Sequence, residues 1–151
     1  VPPMTTVRDI LNHKGAQVWA VDPTSSVQDA LLLMKEKGIG AVFVMQGQHI
    51  LGVFSERDYV RQVADAENLL LQTPVRELMT SPVLFIRPEQ SLADCMDVMT
   101  ARRLRHLPVL DDDNRCIGVL SIGDVVREIM AERESTIKSL ENYILGHQMM
   151  E

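Results

Sequence analysis

The chain has 151 residues, an apolar fraction of 46% and a formal net charge of −6, the balance of a folded domain with a polar surface. That length admits one sizeable core or two small units sharing one. The negative charge argues against general nucleic-acid binding, which rests on neutralising phosphates, and no apolar run reaches bilayer length, so neither nucleic acid nor membrane is an expected partner. No basic, apolar and small-residue leader opens the sequence. Cys95 and Cys116 have neither metal-type nor redox spacing, so a reducing cytoplasm is the expected location. Val1-Pro2-Pro3 ahead of Met4 read as a remnant foreign to the fold.

The first predicted element is a short helical turn after Thr6, with Asp9 three residues on as a cap signal. A brief strand follows over 18–21, ending at Pro23. Ser26 with Asp29 opens a helix whose apolar stripe is Val27, Ala30, Leu31 and Met34, spacings that share one face. Two strands come next, 41–45 and 50–54, joined by the polar turn Gln46-Gly47-Gln48-His49. A helix from Glu56 to about Val63 closes the series.

The series then runs again. Thr73 and Pro74 signal a helical turn, a strand is expected over 83–86 before Pro88, and Ser91 with Asp94 opens a helix with the stripe Leu92, Cys95, Met96 and Met99. Strands over 107–110 and 116–120 flank the turn Asp111-Asp112-Asp113-Asn114-Arg115, and a last helix starts at Ile122. Direct alignment agrees with the pattern. Gly52-Val53-Phe54-Ser55-Glu56-Arg57-Asp58-Tyr59-Val60-Arg61 matches Gly118-Val119-Leu120-Ser121-Ile122-Gly123-Asp124-Val125-Val126-Arg127 at six of ten positions. The predicted fold is therefore α/β (α+β), with the order β-α-β-β-α twice, and each copy is too small to be expected to stand alone. The expected divisions are 5–72, 73–131 and a helical extension over 132–151. In that extension Val126, Ile129, Met130, Arg133, Ile137, Leu140 and Ile144 carry the stripe toward Gly146, read as a C-terminal cap. A stripe beyond the repeats needs cover, either within the chain or from a second copy in a homodimer.

The repeated Gly-Val-x-Ser-x-x-Asp segment falls where a strand passes into a helix, a place whose free backbone N–H groups favour an anion. Ser55 and Ser121 offer hydroxyls there, and Asp58 and Asp124 offer carboxylates able to accept both hydroxyls of a ribose. The same spacing is also a capping box that needs no ligand. Four scattered histidines and an Asp111–Asn114 run lacking the glycine and distal glutamate of a calcium loop give no metal site. Trp19 reads as a core or rim residue. No nucleophile elbow, phosphate-binding loop or Cys–His signature is present, so no catalytic residue and no enzyme is expected.

The two copies with their Gly-hydrophobic-x-Ser-x-x-Asp motifs, together with Arg105-His106-Leu107-Pro108-Val109 on the middle strand of the second, resemble tandem CBS domains, the pair called a Bateman module. That similarity covers nearly everything from Thr5 to about Ala131, and Ser55-Glu56-Arg57-Asp58 with the ending Leu140-Glu141-Asn142-Tyr143-Ile144 resembles small bacterial stand-alone CBS-pair proteins. The resemblance implies a sensor that binds AMP, ADP, ATP or NAD, less readily S-adenosylmethionine, between the copies, pairs into a homodimer and signals to an unidentified downstream protein. It assigns ribose binding to Asp58 and Asp124, phosphate contact to Ser55 and Ser121, and the base slot to the segments around Ala41 and Leu107-Pro108. The forked arginine geometry suited to phosphate adds Arg57 and Arg105, with His106, from opposite sides of the cleft. The alternative expectation is a dimerisation or interaction module whose clefts stay empty.

Overall fold

The computed structural model describes residues 5–14 and 18–149; the Val1-Pro2-Pro3 segment lies outside them. In chain order the elements are α1 (Val7–Lys14), β1 (Ala20–Val21), α2 (Val27–Lys37), β2 (Ala41–Gln46), β3 (His49–Ser55), α3 (Glu56–Ala64), a 3-10 turn (Val75–Glu77), α4 (Leu92–Arg102), β4 (His106–Leu110), β5 (Cys116–Ser121) and α5 (Ile122–Met149). Both central helices start as their sequence signals require. Ser26 accepts the Asp29 N–H at 3.1 Å, and Ser91 with Asp94 completes a two-way capping box. Of the expected stripes, Val27, Ala30 and Met34 on α2 and Leu92, Cys95 and Met99 on α4 are buried, while Leu31 and Met96 are half-buried at their edges.

The sheets are smaller than the repeat pattern predicts. In the first, β1 lies parallel to β2, which runs antiparallel to β3. In the second only β4 and β5 form strands. The strand expected over 83–86 shrinks to one bridge between Ile86 and Val109. Ile86 donates to the Pro108 carbonyl and accepts from the Leu110 N–H, both at 3.0 Å. Its predecessors Leu84 and Phe85 stand exposed instead of pairing. Pro82, which has no N–H to give a ladder, starts the segment. Thr73 likewise does not cap the following turn, because Pro74 occupies the cap position with no side-chain bond.

The opening turns change places. Val7, Ile10 and Leu11 of α1 are buried with Leu107, Val109, Leu120 and Val125 of the second copy. Val75 and Leu78 are buried with Val27, Met34, Val44 and Phe54 of the first. Backbone bonds repeat the exchange. Val7 N–H donates to Gln90 and Arg8 N–H to Pro88, each at 2.9 Å, while Val75 N–H donates to Ser25 at 2.8 Å and Arg76 N–H to Pro23 at 3.2 Å. Two glycines make room for this. A Cβ on Gly52 would sit 2.6 Å from the Met79 sulfur and 2.9 Å from the Thr80 carbonyl oxygen; one on Gly118 would sit 2.6 Å from Leu11 Cδ2. The sequence divides at about residue 72, but each core is built from both sides of that division.

The last helix departs from expectation at its end. It runs 28 residues through Gly146 to Met149, roughly 42 Å at 1.5 Å per residue, so Gly146 does not cap it. Val125 is buried in the second core and Ile129 packs against it. Beyond them, Met130, Ile137, Leu140, Tyr143 and Ile144 are all more than half exposed. Among the described residues, Met130, Ile137, Leu140 and Ile144 are therefore left open to solvent.

Candidate functional site

Ser55 ends β3 in extended conformation and caps α3. Its N–H and hydroxyl both donate to Asp58 Oδ2, at 3.0 and 2.9 Å, and the Asp58 N–H returns to the Ser55 hydroxyl oxygen at 3.1 Å. The second copy repeats the geometry: Ser121 N–H donates to Asp124 Oδ2 at 2.8 Å, and Asp124 N–H donates to the Ser121 oxygen at 3.1 Å. Both Ser-x-x-Asp segments are therefore capping boxes in fact. The anion cradle expected at these helix starts is also largely occupied. Glu56 N–H is held by the Gly40 carbonyl at 3.0 Å and Ile122 N–H by the Arg105 carbonyl at 2.7 Å, because each helix start doubles back on the residue that leads into the middle strand.

Capping does not exhaust Asp58. Thr80 pairs with Val53 through bonds of 3.0 and 2.8 Å, which brings its hydroxyl to Asp58 Oδ1 at 3.1 Å. Both groups line a cavity of about 860 Å³ between the copies, within the size range of small-molecule sites. One wall is β2 and its approach, with Ile39, Gly40, Ala41 and Phe43, and Trp19 lies beside it. Another is the loop Pro82, Val83 and Leu84. The far side is Arg102, Arg103, Leu104, Arg105 and His106, where α4 gives way to β4, with Val119 and Ser121 on β5. Lys37 stands over the Trp19 ring at 4.5 Å, a cation–π contact that fixes the indole at the rim.

Of the ten residues named from the sequence, the cavity gathers Ala41, Ser55, Asp58, Arg105, His106 and Ser121. The other four lie elsewhere. Arg57 is exposed on α3 and is not part of the lining. Leu107 is fully buried in the second core, where strand alternation sends it. Pro108 is buried beside a separate cavity of about 330 Å³ that Ile50, Leu51, Phe85, Arg87 and Asn114 also line. Asp124 pairs with Arg127 at 2.8 Å and is not part of the larger cavity's lining. The arginines expected from opposite sides thus do not meet; Arg105 is joined instead by Arg102 and Arg103.

Several lining residues were missed in the sequence. Thr80 and Pro82 fell between a predicted turn and a predicted strand, and Val83 and Leu84 inside that strand; the exchange of opening turns brings them here. The Arg102-Arg103-x-Arg105 run was visible as charge but lacked a place. Among the described residues no group of three or more His, Cys, Asp or Glu side chains is arranged to hold a metal, and no helix is long and apolar enough to cross a membrane. Both cysteines are free thiols; burial pushes Cys95 up to about 11 and also raises Cys116.

The CBS-domain family model matches this chain twice, over residues 7–65 and 75–131. The CBS domain-containing protein CBSX3, mitochondrial, of Arabidopsis thaliana is 33% identical over 151 residues, covering 94% of this chain and 73% of that protein. Among solved structures, a putative signal-transduction protein with CBS domains from Burkholderia ambifaria is 45% identical with a TM-score of 0.74, covering 84% of this chain and 95% of that one. The crystal structure of CBSX2 in complex with AMP is 29% identical with a TM-score of 0.70, covering 85% of this chain and 98% of that one.

Proposed function

The chain belongs to the CBS-domain family, and from that premise we propose that it is a regulatory module taking an adenine nucleotide into the cavity between its two repeats. The observation that carries the reading is Asp58. Its carboxylate is positioned by its own helix cap and by Thr80, yet it lines a cavity large enough for a nucleotide. A carboxylate held this way accepts hydrogen bonds without reorganising, which is what recognition of a ribose diol demands. The apolar surfaces of Ala41, Phe43 and Val53 suit the base. The AMP complex of CBSX2 supports the choice of ligand class.

Such a module needs no catalysis. A ligand that binds one arrangement of the repeats better than another shifts their balance by that difference in affinity, and we read the protein as a non-enzymatic sensor on that basis. The exposed apolar residues of α5 support pairing of two copies along that helix. Sedimentation across a concentration range tests this, and a monomer at every concentration refutes it.

Trp19 is the sole tryptophan and lines the cavity, so its emission reports occupancy directly. Titration with AMP, ATP, NAD and S-adenosylmethionine, paired with thermal denaturation, tests the proposal, since a ligand of the native state alone raises apparent stability. Saturable quenching and a raised Tm with an adenine nucleotide are expected. Neither response at millimolar concentration of any of the four would leave the module as a ligand-free pairing unit.

A further inference from the structure

We infer that the cavity selects nucleotides carrying a chain of two or more phosphates over the monophosphate. This rests on the nucleotide-site reading above and specifies its ligand.

The charge of the lining is the first observation. In a protein of net charge −6, the cavity wall holds three arginines, Arg102, Arg103 and Arg105, against one carboxylate, Asp58. Among the described residues none of the three arginines has a side-chain hydrogen bond or ion pair to the protein; Arg57, Arg61, Arg76, Arg115 and Arg133 share that state, but of these eight only Arg102, Arg103 and Arg105 line the cavity. What sets these three apart is their gathering on one cavity wall beside a single carboxylate, in a chain that is acidic as a whole. They suit an anion that arrives from outside. The three are strung over four consecutive positions instead of converging from different elements, so their charge is spread along one rim. A linear polyanion matches that distribution better than a single phosphate does.

The backbone of Arg103 is the second observation. It caps α4 in the left-handed region, at φ 54°. The matching cap of α2 in the first copy is Gly38, at φ 65°, the residue type that adopts this conformation without a Cβ penalty. One copy thus follows the rule for ending a helix and the other departs from it, at the position that puts a guanidinium on the cavity. Leu70 and Asn114 also adopt positive φ, but Arg103 is the one of the three that lines this cavity, and strain at a binding wall is consistent with a functional constraint. Cations at a helix C-terminus are favourable in their own right, but that preference is met by any position in the last turn and does not require a strained one.

The test compares adenosine, AMP, ADP and ATP by Trp19 fluorescence, with and without Mg²⁺, and inorganic tripolyphosphate as a probe lacking the base. Wild-type affinity is expected to rise from AMP to ATP by roughly tenfold or more, the scale of one added charge-assisted contact. Arg103→Gly is expected to lower the ATP-to-AMP affinity ratio at least fivefold while leaving Tm unchanged or raised, because glycine relieves the cap. Arg105→Ala is expected to lower the same ratio, and tripolyphosphate binding is expected to weaken in both variants. AMP binding as tightly as ATP, or Arg103→Gly reducing both equally, overturns the inference and leaves the nucleotide site standing. No binding by any adenosine compound overturns both.

Discussion

Replacing Asp58 and Asp124 separately with alanine isolates what the cavity adds to a capping box. Each carboxylate closes the same two-way cap, with its serine N–H at 3.0 Å in the first copy and 2.8 Å in the second. Losing the cap and its favourable charge at the helix start costs about 1–2 kcal/mol in either place. Asp124 also gives up an ion pair with Arg127, whose side chain is 72% exposed, and this adds no more than about 0.5 kcal/mol. For a chain of this length that is a fall in Tm of roughly 2–8 °C for each variant. Binding is where they part. Asp58 shares the cavity with Trp19, and removing a charge-assisted acceptor there costs about 1.5–3 kcal/mol, a tenfold to hundredfold loss of nucleotide affinity read by tryptophan quenching. Asp124 faces Arg127 instead, so its variant keeps wild-type affinity at that site. If Asp58→Ala binds as well as wild type, or if both variants lose affinity alike, the assignment of the sugar to Asp58 is wrong.

Gly52→Ala is expected to be the more damaging of two matched substitutions, at about 2–3 kcal/mol, since the new methyl meets the Thr80 backbone as well as Met79. Gly118→Ala meets only the end of the Leu11 side chain and is expected to cost about 1 kcal/mol; urea denaturation of both orders them. Ile10→Ala is expected to cost about 2–4 kcal/mol and, read by amide hydrogen exchange, to loosen β4 and β5 more than β2 and β3, although Ile10 lies in the first copy by sequence. Cys95, with its thiol pushed up to about 11 by burial, is expected to resist alkylation at pH 8 in the native state and to react once unfolded. The sign for stability follows. As pH rises above about 8.5, the ordinary thiol value, the unfolded chain ionises Cys95 while the native one keeps its proton. Stability therefore falls between there and about 11, and Cys95→Ala flattens that part of the profile.

Much of the fold was legible because local rules governed it. The capping serines, the helical stripes and the two hairpins each announce themselves within a few residues, and the structure places them with shifts of a residue or so at strand ends. The missing strand at 83–86 was not, because the continuous apolar run Val83-Leu84-Phe85-Ile86 suggested pairing that only Ile86 makes. The helix passing through Gly146 shows the limit of reading a terminus from a single residue. The site was half legible. Ser55 and Asp58 sit in a motif that repeats and Arg105 in a strand segment singled out in the second copy, whereas Thr80, Arg102 and Arg103 reach the cavity through packing that no repeated motif announces. Leu107 and Pro108 failed for simpler reasons: alternation along β4 turns Leu107 into the core, and Pro108, on the face of His106, lies far enough along the strand to line the smaller cavity instead.

The crossing of α1 into the second core and of Val75 and Leu78 into the first bears on ancestry. A lone copy of the repeat possesses a slot for an opening turn and a turn that fits no slot of its own. Two identical copies related by a twofold axis satisfy each other, as swapped partners do. The present chain has the form of that symmetrical couple joined end to end, and the join is the stretch just after Ala64, ahead of Leu70, which packs on the first core. Cutting the polypeptide there leaves two fragments that still clasp one another, so a nick in this connection should be silent while removal of either turn unpicks the opposite half.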